Sequence, residues 1–170
     1  MGDFPALVDV HYGSLRLADI RSEGRTDWSQ EFFGRRPPGL IATAPGEVFF
    51  ITSRHTGLVE LSITIDEADP GAELDAYEDV VEVPFEAVAA ELKLFLFDGV
   101  APHALPPLPA GPGAYRIRYH CRGMDETRNP DLKYDDVVDE YLLQIWPAPA
   151  APPATLKVTS RQGRYWMFKS

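Results

Sequence analysis

His120 and Cys121 stand side by side in "AYRIRYHC", the pairing of residue types that a thiolate–imidazole dyad would use. Successive side chains of a strand point to opposite faces, so the two cannot hydrogen-bond to each other within one strand. The reading is therefore a buried Cys121 beside a surface His120. The other candidate bases, His11, His55 and His103, stand in no GxSxG, HExxH or phosphate-cradling Gly-rich context. No catalytic residue is assigned, and no cofactor is expected.

Clustered carboxylates are the second source of chemistry. "DEADPGAELDAYED" offers Asp66, Glu67, Asp69, Glu73, Asp75, Glu78 and Asp79. "MDETRNPDLKYDD" offers Asp125, Glu126, Asp131, Asp135 and Asp136. Oxygens in such number suit calcium, yet neither stretch follows the D-x-[DN]-x-[DN]-G loop, and Arg128 and Lys133 interrupt the second. A calcium- or ligand-binding module stands as the alternative reading. A catalytic carboxylate pair would need two acids facing across a cleft, which sequence cannot show. From His55 to Leu92 there is no Lys or Arg at all. Such a stretch reads either as solvated loop ends or as a docking surface for a cationic protein. The twelve acids named above are the candidate partner-binding residues.

The totals narrow the classes. A net charge of −10 over 170 residues repels phosphate backbones, so direct nucleic-acid binding is not expected. With one cysteine there is no internal disulfide and no thiolate metal cluster. The first residues, "MGDFPALVDV", have neither a basic nor an apolar signal region, and no apolar run is long enough to span a bilayer. A cytoplasmic protein is expected.

The elements that must position these residues are strands. Period-two alternation recurs in "ALVDVHYGSLRLAD", "GEVFFITSR", "TGLVELSITI", "DVVEVPF", "ELKLFLF", "AYRIRYHCRG" and "DEYLLQIWP". It predicts an all-β, single-domain antiparallel β-sandwich of about eight strands with Pro-rich connections. The inward positions are Val8, Val10, Leu61, Ile63, Ile65, Val81, Val83, Leu94, Leu96, Tyr115, Ile117, Tyr119, Leu143 and Ile145. Arg116, Arg118, His120 and Glu82 are placed on wet outer faces, and Leu142 and Gln144 opposite the inward positions of their strand. Asp27 in "DWSQEFFGRR" is placed as the cap of a single helical turn, and "EAVAAEL" is read as a short helix or a link between strands. The domain is expected over 1–150, followed by a basic C-terminal tail or extra strand over 151–170 carrying Lys157, Arg161, Arg164 and Lys169.

In sequence order, "VDVHYGSLRLAD", Asp27–Trp28 in "TDWSQEF", "GLIATAPGEVFFITSRHTGLVELSI", "VVEVPFEA", "GAYRIRYHCRGMDE" and "DEYLLQIWPAP" resemble the competence protein J (ComJ) family. The likeness runs from Val8 to Pro149. It implies a small cytosolic β protein that binds and inhibits a nuclease of DNA uptake, with no turnover of its own. An acidic inhibitor can occupy a basic DNA-binding cleft as a phosphate mimic. The implied partner is thus a basic protein, a nuclease or a toxin. The longer Pro-rich link "APHALPPLPAGPG" and the basic tail depart from the family, and no family contact residue carries over.

Overall fold

The computed structural model describes residues 6–19, 37–96 and 103–168. Eleven strands and one short helix form among them, in the order β1 (Ala6–His11), β2 (Ser14–Ala18), β3 (Ile41–Ala44), β4 (Glu47–Ile51), β5 (Thr56–Ile65), β6 (Asp79–Ala87), β7 (Lys93–Phe95), β8 (His103–Ala104), β9 (Gly113–Arg122), β10 (Glu140–Pro147), β11 (Ala154–Val158) and α1 (Arg161–Phe168). The turn placed at Asp27 lies outside the described residues. The "EAVAAEL" segment is the end of β6 followed by bends.

The all-β class holds, but the antiparallel sandwich of about eight strands does not. The strands make one curled mixed sheet, a half-barrel, running β11-β6-β9-β10-β5-β1-β2-β4-β3. The mixture arises at β10, which enters parallel to β5, with Glu140 opposite Glu60 and Ile145 opposite Ile65. β1 and β2 share a single ladder pair, His11 with Ser14, and then part, so that β7 takes the edge of β2. Curling brings the ends of the path together. Thr43 Oγ1 on β3 donates to the Pro84 carbonyl of β6 at 2.7 Å, and Gly46 N–H donates to the Glu86 carbonyl at 2.9 Å. Alternation records which face a residue occupies and not which strand it pairs with, and a two-layer sandwich and a curled sheet demand the same pattern.

The concave face holds one apolar core. All the inward positions named from sequence are buried there except Leu96, which packs partly buried against it. Tyr119 and Tyr141 stack at 5.8 Å with their rings nearly parallel, and Phe50 meets Tyr119 edge-on at 5.3 Å. Leu105 and Leu108 of the Pro-rich link are buried in the same core.

The convex face overturns the expectation of wet residues. Arg116, Arg118, His120, Leu142 and Gln144 are all buried. β9 and β10 are closed off on both faces because the connection from Asp66 to Glu78 lies across Arg118, His120 and Gln144, while Arg116 donates to the carbonyls of Ala151 and Pro152 in the segment after β10. Glu82, expected in water, is half-buried between Arg116 Nε and Arg118 Nε, each 2.9 Å from one of its oxygens. No described helix is long and apolar enough to cross a membrane.

Candidate functional site

The acidic connection between β5 and β6 is a strap across the convex face, and polar groups beneath it set its path. Arg118, projecting from β9, grips Asp69 with Nη1–Oδ1 at 2.9 Å and Nη2–Oδ2 at 3.1 Å. Its guanidinium stacks on Trp146 at 4.6 Å, and Nη1 also donates to Gln144 Oε1 at 2.8 Å. A planar fork satisfied on several sides is what lets a guanidinium lie buried. The hydrogen bonds from Arg118 hold the Asp69 carboxyl below its usual range, with burial acting against them. Gln144 Nε2 donates to the Gly71 carbonyl, and Lys157 of β11 donates to the carbonyls of Leu74 and Tyr77.

His120 lies at the centre of this cover. Its Nε2 accepts from the Glu73 N–H at 3.1 Å, and its Nδ1 faces the Leu142 carbonyl at 3.3 Å. The two bonds together require the neutral, Nδ1-protonated ring. Burial drives the imidazole down to about 4, helped by the nearby Arg118 charge. Cys121 points into the core, where burial pushes its thiol well above the ordinary value, so it is not an activated nucleophile.

The second acidic stretch is the connection between β9 and β10. It begins with a 3-10 turn, Asp125–Arg128. Buried Arg54 then organises the rest, donating to the carbonyls of Lys133, Tyr134 and Asp136. Gly57 leaves room for that guanidinium, since a Cβ there would come within 2.8 Å of Arg54 Cζ.

Of the twelve candidate acids, several have internal work. Asp79 is fully buried and accepts from Thr159 N–H at 2.9 Å and Ser160 N–H at 3.2 Å, and Asp125 accepts from the N–H groups of Arg161 and Gln162 at 3.1 Å each. Both carboxylates thus meet the amide-rich start of α1, which favours negative charge. Asp79 is thereby removed from any contact surface. Glu78 accepts from Gly123 N–H at 2.7 Å, Asp136 from Lys133 N–H at 2.9 Å, and Asp69 is held by Arg118. Asp66 is part-buried at the end of β5. Glu67, Glu73, Asp75, Glu126, Asp131 and Asp135 are exposed, and among the described residues their carboxylates make no hydrogen bond or ion pair. The two acidic stretches are linked through Asp79, the start of α1 and Asp125. No three described His, Cys, Asp or Glu side chains are grouped to hold a metal.

A cleft of about 430 Å³ opens where the β1–β2 turn, the β4–β5 turn and α1 meet, lined by Tyr12, Phe49, Ser53, His55, Arg128 and Trp166 among others. His55 is the one histidine on it among the described residues. His11 faces Asp9, His103 is exposed on β8 and His120 is under the strap. Reading the sequence passed over this cleft. Tyr12–Gly13 looks like any hairpin turn, and Arg128 counted only as an interruption among acids.

No protein-family model and no curated protein matches the chain. Two solved structures do. One, described as "Crocagin biosynthetic gene J", superposes with a TM-score of 0.53 at 12% identity over 86% of this chain and 99% of its own. The other is ComJ from Bacillus subtilis, described as the inhibitor of the DNA degrading activity of NucA, with a TM-score of 0.51 at 18% identity over 85% of this chain and 96% of its own.

The chain has a ComJ-like fold. The described segments that carry the resemblance in sequence form β1 to β6, β9 and β10, the continuous body of the half-barrel. At these identities the likeness is one of architecture. In this ComJ-like fold the acids lie on the connections after β5 and β9, and α1 ties those connections to each other.

Proposed function

We propose that the chain is a non-enzymatic, cytoplasmic inhibitor or immunity-type protein that binds a nuclease or another basic protein and covers its cationic cleft. The supporting observation is the ComJ-like fold, which in this chain presents six exposed carboxylates without internal partners: Glu67, Glu73, Asp75, Glu126, Asp131 and Asp135. Carboxylates on an ordered strap need little rearrangement on binding, so less of the interaction is lost to ordering. Their summed field accelerates encounter with a positive face and selects against acidic partners.

Asp69, Asp79 and Asp125 stabilise the fold in this reading and are poor probes of binding. The informative variant is Glu67→Lys, Glu73→Lys and Asp75→Lys combined. The melting temperature stays near that of the parent, while inhibition of the cognate nuclease falls by about tenfold or more and parental binding weakens steeply with salt. Undiminished inhibition by this variant rules out the strap as the contact surface.

A further inference from the structure

The cleft between the β1–β2 turn and α1 is a built site that the inhibitor reading does not use. Its rims are fastened to one another. Thr52 N–H donates to the Gly13 carbonyl and Gly13 N–H to the His55 carbonyl, each at 2.9 Å. Ser53 Oγ donates to the Met124 carbonyl at 3.0 Å and meets Thr127 Oγ1 at 2.8 Å, which ties the β4–β5 turn to the 3-10 turn carrying Arg128. Arg128 Nη2 donates to Gln162 Oε1 of α1 at 2.8 Å.

Two features point to a ligand. The first is Tyr12, which occupies the left-handed region at φ 61° beside Gly13 at φ 66° in a two-residue hairpin turn. Such a turn favours Asn, Asp or Gly at that position, so a large aromatic there carries a local backbone cost. Its side chain is 65% exposed and meets the His55 ring edge-on at 5.3 Å, at the cleft. The second is Arg128. Its one side-chain hydrogen bond among the described residues goes to the neutral Gln162, and it forms no ion pair there. A guanidinium that lines the cleft with no carboxylate against it suits the cleft to an anionic group.

We propose that the cleft binds a small molecule consisting of a planar aromatic ring that carries one anionic group. The ring lies among Tyr12, Phe49 and Trp166, and the anionic group meets the Arg128 guanidinium. The volume is in the range of small-molecule sites, and the walls combine apolar rings with a few polar atoms. The site is independent of the strap, and either reading can fail without the other.

The test is a fluorescence titration with two probes of similar size, the anionic 1-anilinonaphthalene-8-sulfonate and the neutral N-phenyl-1-naphthylamine. The expected result is saturable binding of the sulfonate at one site per chain. Arg128→Gln weakens the sulfonate by about tenfold and leaves the neutral probe nearly unchanged. Tyr12→Asn, which suits the turn and keeps the melting temperature, weakens both probes by about tenfold. Absence of saturable binding, several weak sites, or affinities that neither substitution moves overturns the proposal.

Discussion

Arg118 closes on Asp69 with two parallel hydrogen bonds, at 2.9 Å and 3.1 Å, so that a buried strand arginine pins an acid of the loop above it. Half of the Asp69 side chain remains exposed, and solvent screens the pair. Asp69→Asn keeps the shape and removes the charge. It is expected to cost about 1 kcal/mol in urea unfolding and to speed cleavage by a glutamate-specific protease between residues 66 and 78. A variant as stable and as resistant as the parent would refute the pinning role. Because the folded Asp69 carboxyl is depressed, its contribution is present above the unfolded value of 3.8 and lost as pH falls through the folded value.

His120 gives a second, separable pH dependence. The folded ring takes up its proton only near 4, while in the unfolded chain the ordinary value is 6.5. The sign follows from linkage: the unfolded chain binds the proton first, so stability is full above 6.5 and declines as pH falls toward 4. The total is on the order of 3 kcal/mol. Asp139, whose carboxyl burial raises, works in the opposite sense, so the comparison is with His120→Gln, which keeps Asp139 and lacks this decline. Protonation at Nε2 also removes the acceptor for the Glu73 N–H, so the protection of that amide, taken relative to its intrinsic exchange rate at each pH, falls as pH approaches 4. Identical pH profiles for parent and variant would contradict the assignment.

Tyr141 and Tyr119 stack in the core but differ in what their hydroxyls do. Tyr141 donates to Asp139 Oδ2 at 2.6 Å and accepts from Ser53 N–H at 2.8 Å. Tyr119 donates to the Ile51 carbonyl at 2.7 Å. Tyr141→Phe leaves two groups short, one of them on a buried carboxylate whose Oδ1 already has no partner, and is expected to cost about 2–3 kcal/mol. Tyr119→Phe is expected to cost about 1 kcal/mol. Chemical denaturation of both variants checks the order, and a reversed order would show that the Ser53–Tyr141–Asp139 chain is not a coupled unit.

Gly163 lies inside α1, where replacement by Ala normally stabilises a helix by about 1 kcal/mol. Here a Cβ would come within 2.6 Å of Asp79 Cγ, against the carboxylate that receives the start of the helix. Gly163→Ala is therefore expected to destabilise by roughly 1–3 kcal/mol and to red-shift tryptophan fluorescence as Trp166 leaves its packed position. A stabilised variant would mean that α1 is not docked on Asp79.

How much of this was legible beforehand differs by element. Positions such as Val59, Leu61, Ile63 and Ile65 announce their face through strict alternation, and the concave core contains them. Arg116, Arg118 and His120 carry the same signal and mislead, because alternation reports sidedness and not what later folds over that side. The acidic run could be found by eye. Its division into Asp69, Asp79 and Asp125, which are spent on the fold, and Glu67, Glu73 and Asp75, which are not, could not.

The amino-acid sequence by itself determined the β class, the core face of most strands and the concentration of carboxylates on the connections after β5 and β9, because these follow from local periodicity and composition. Only the tertiary structure decided that the strands make one curled mixed sheet, that the acidic connection lies across β9 and β10, and that Tyr12, Arg128 and Trp166 meet at a cleft. Each of these depends on contacts between residues far apart in the chain. Such contacts are set by packing and by pairing of buried polar groups, and no local pattern encodes them.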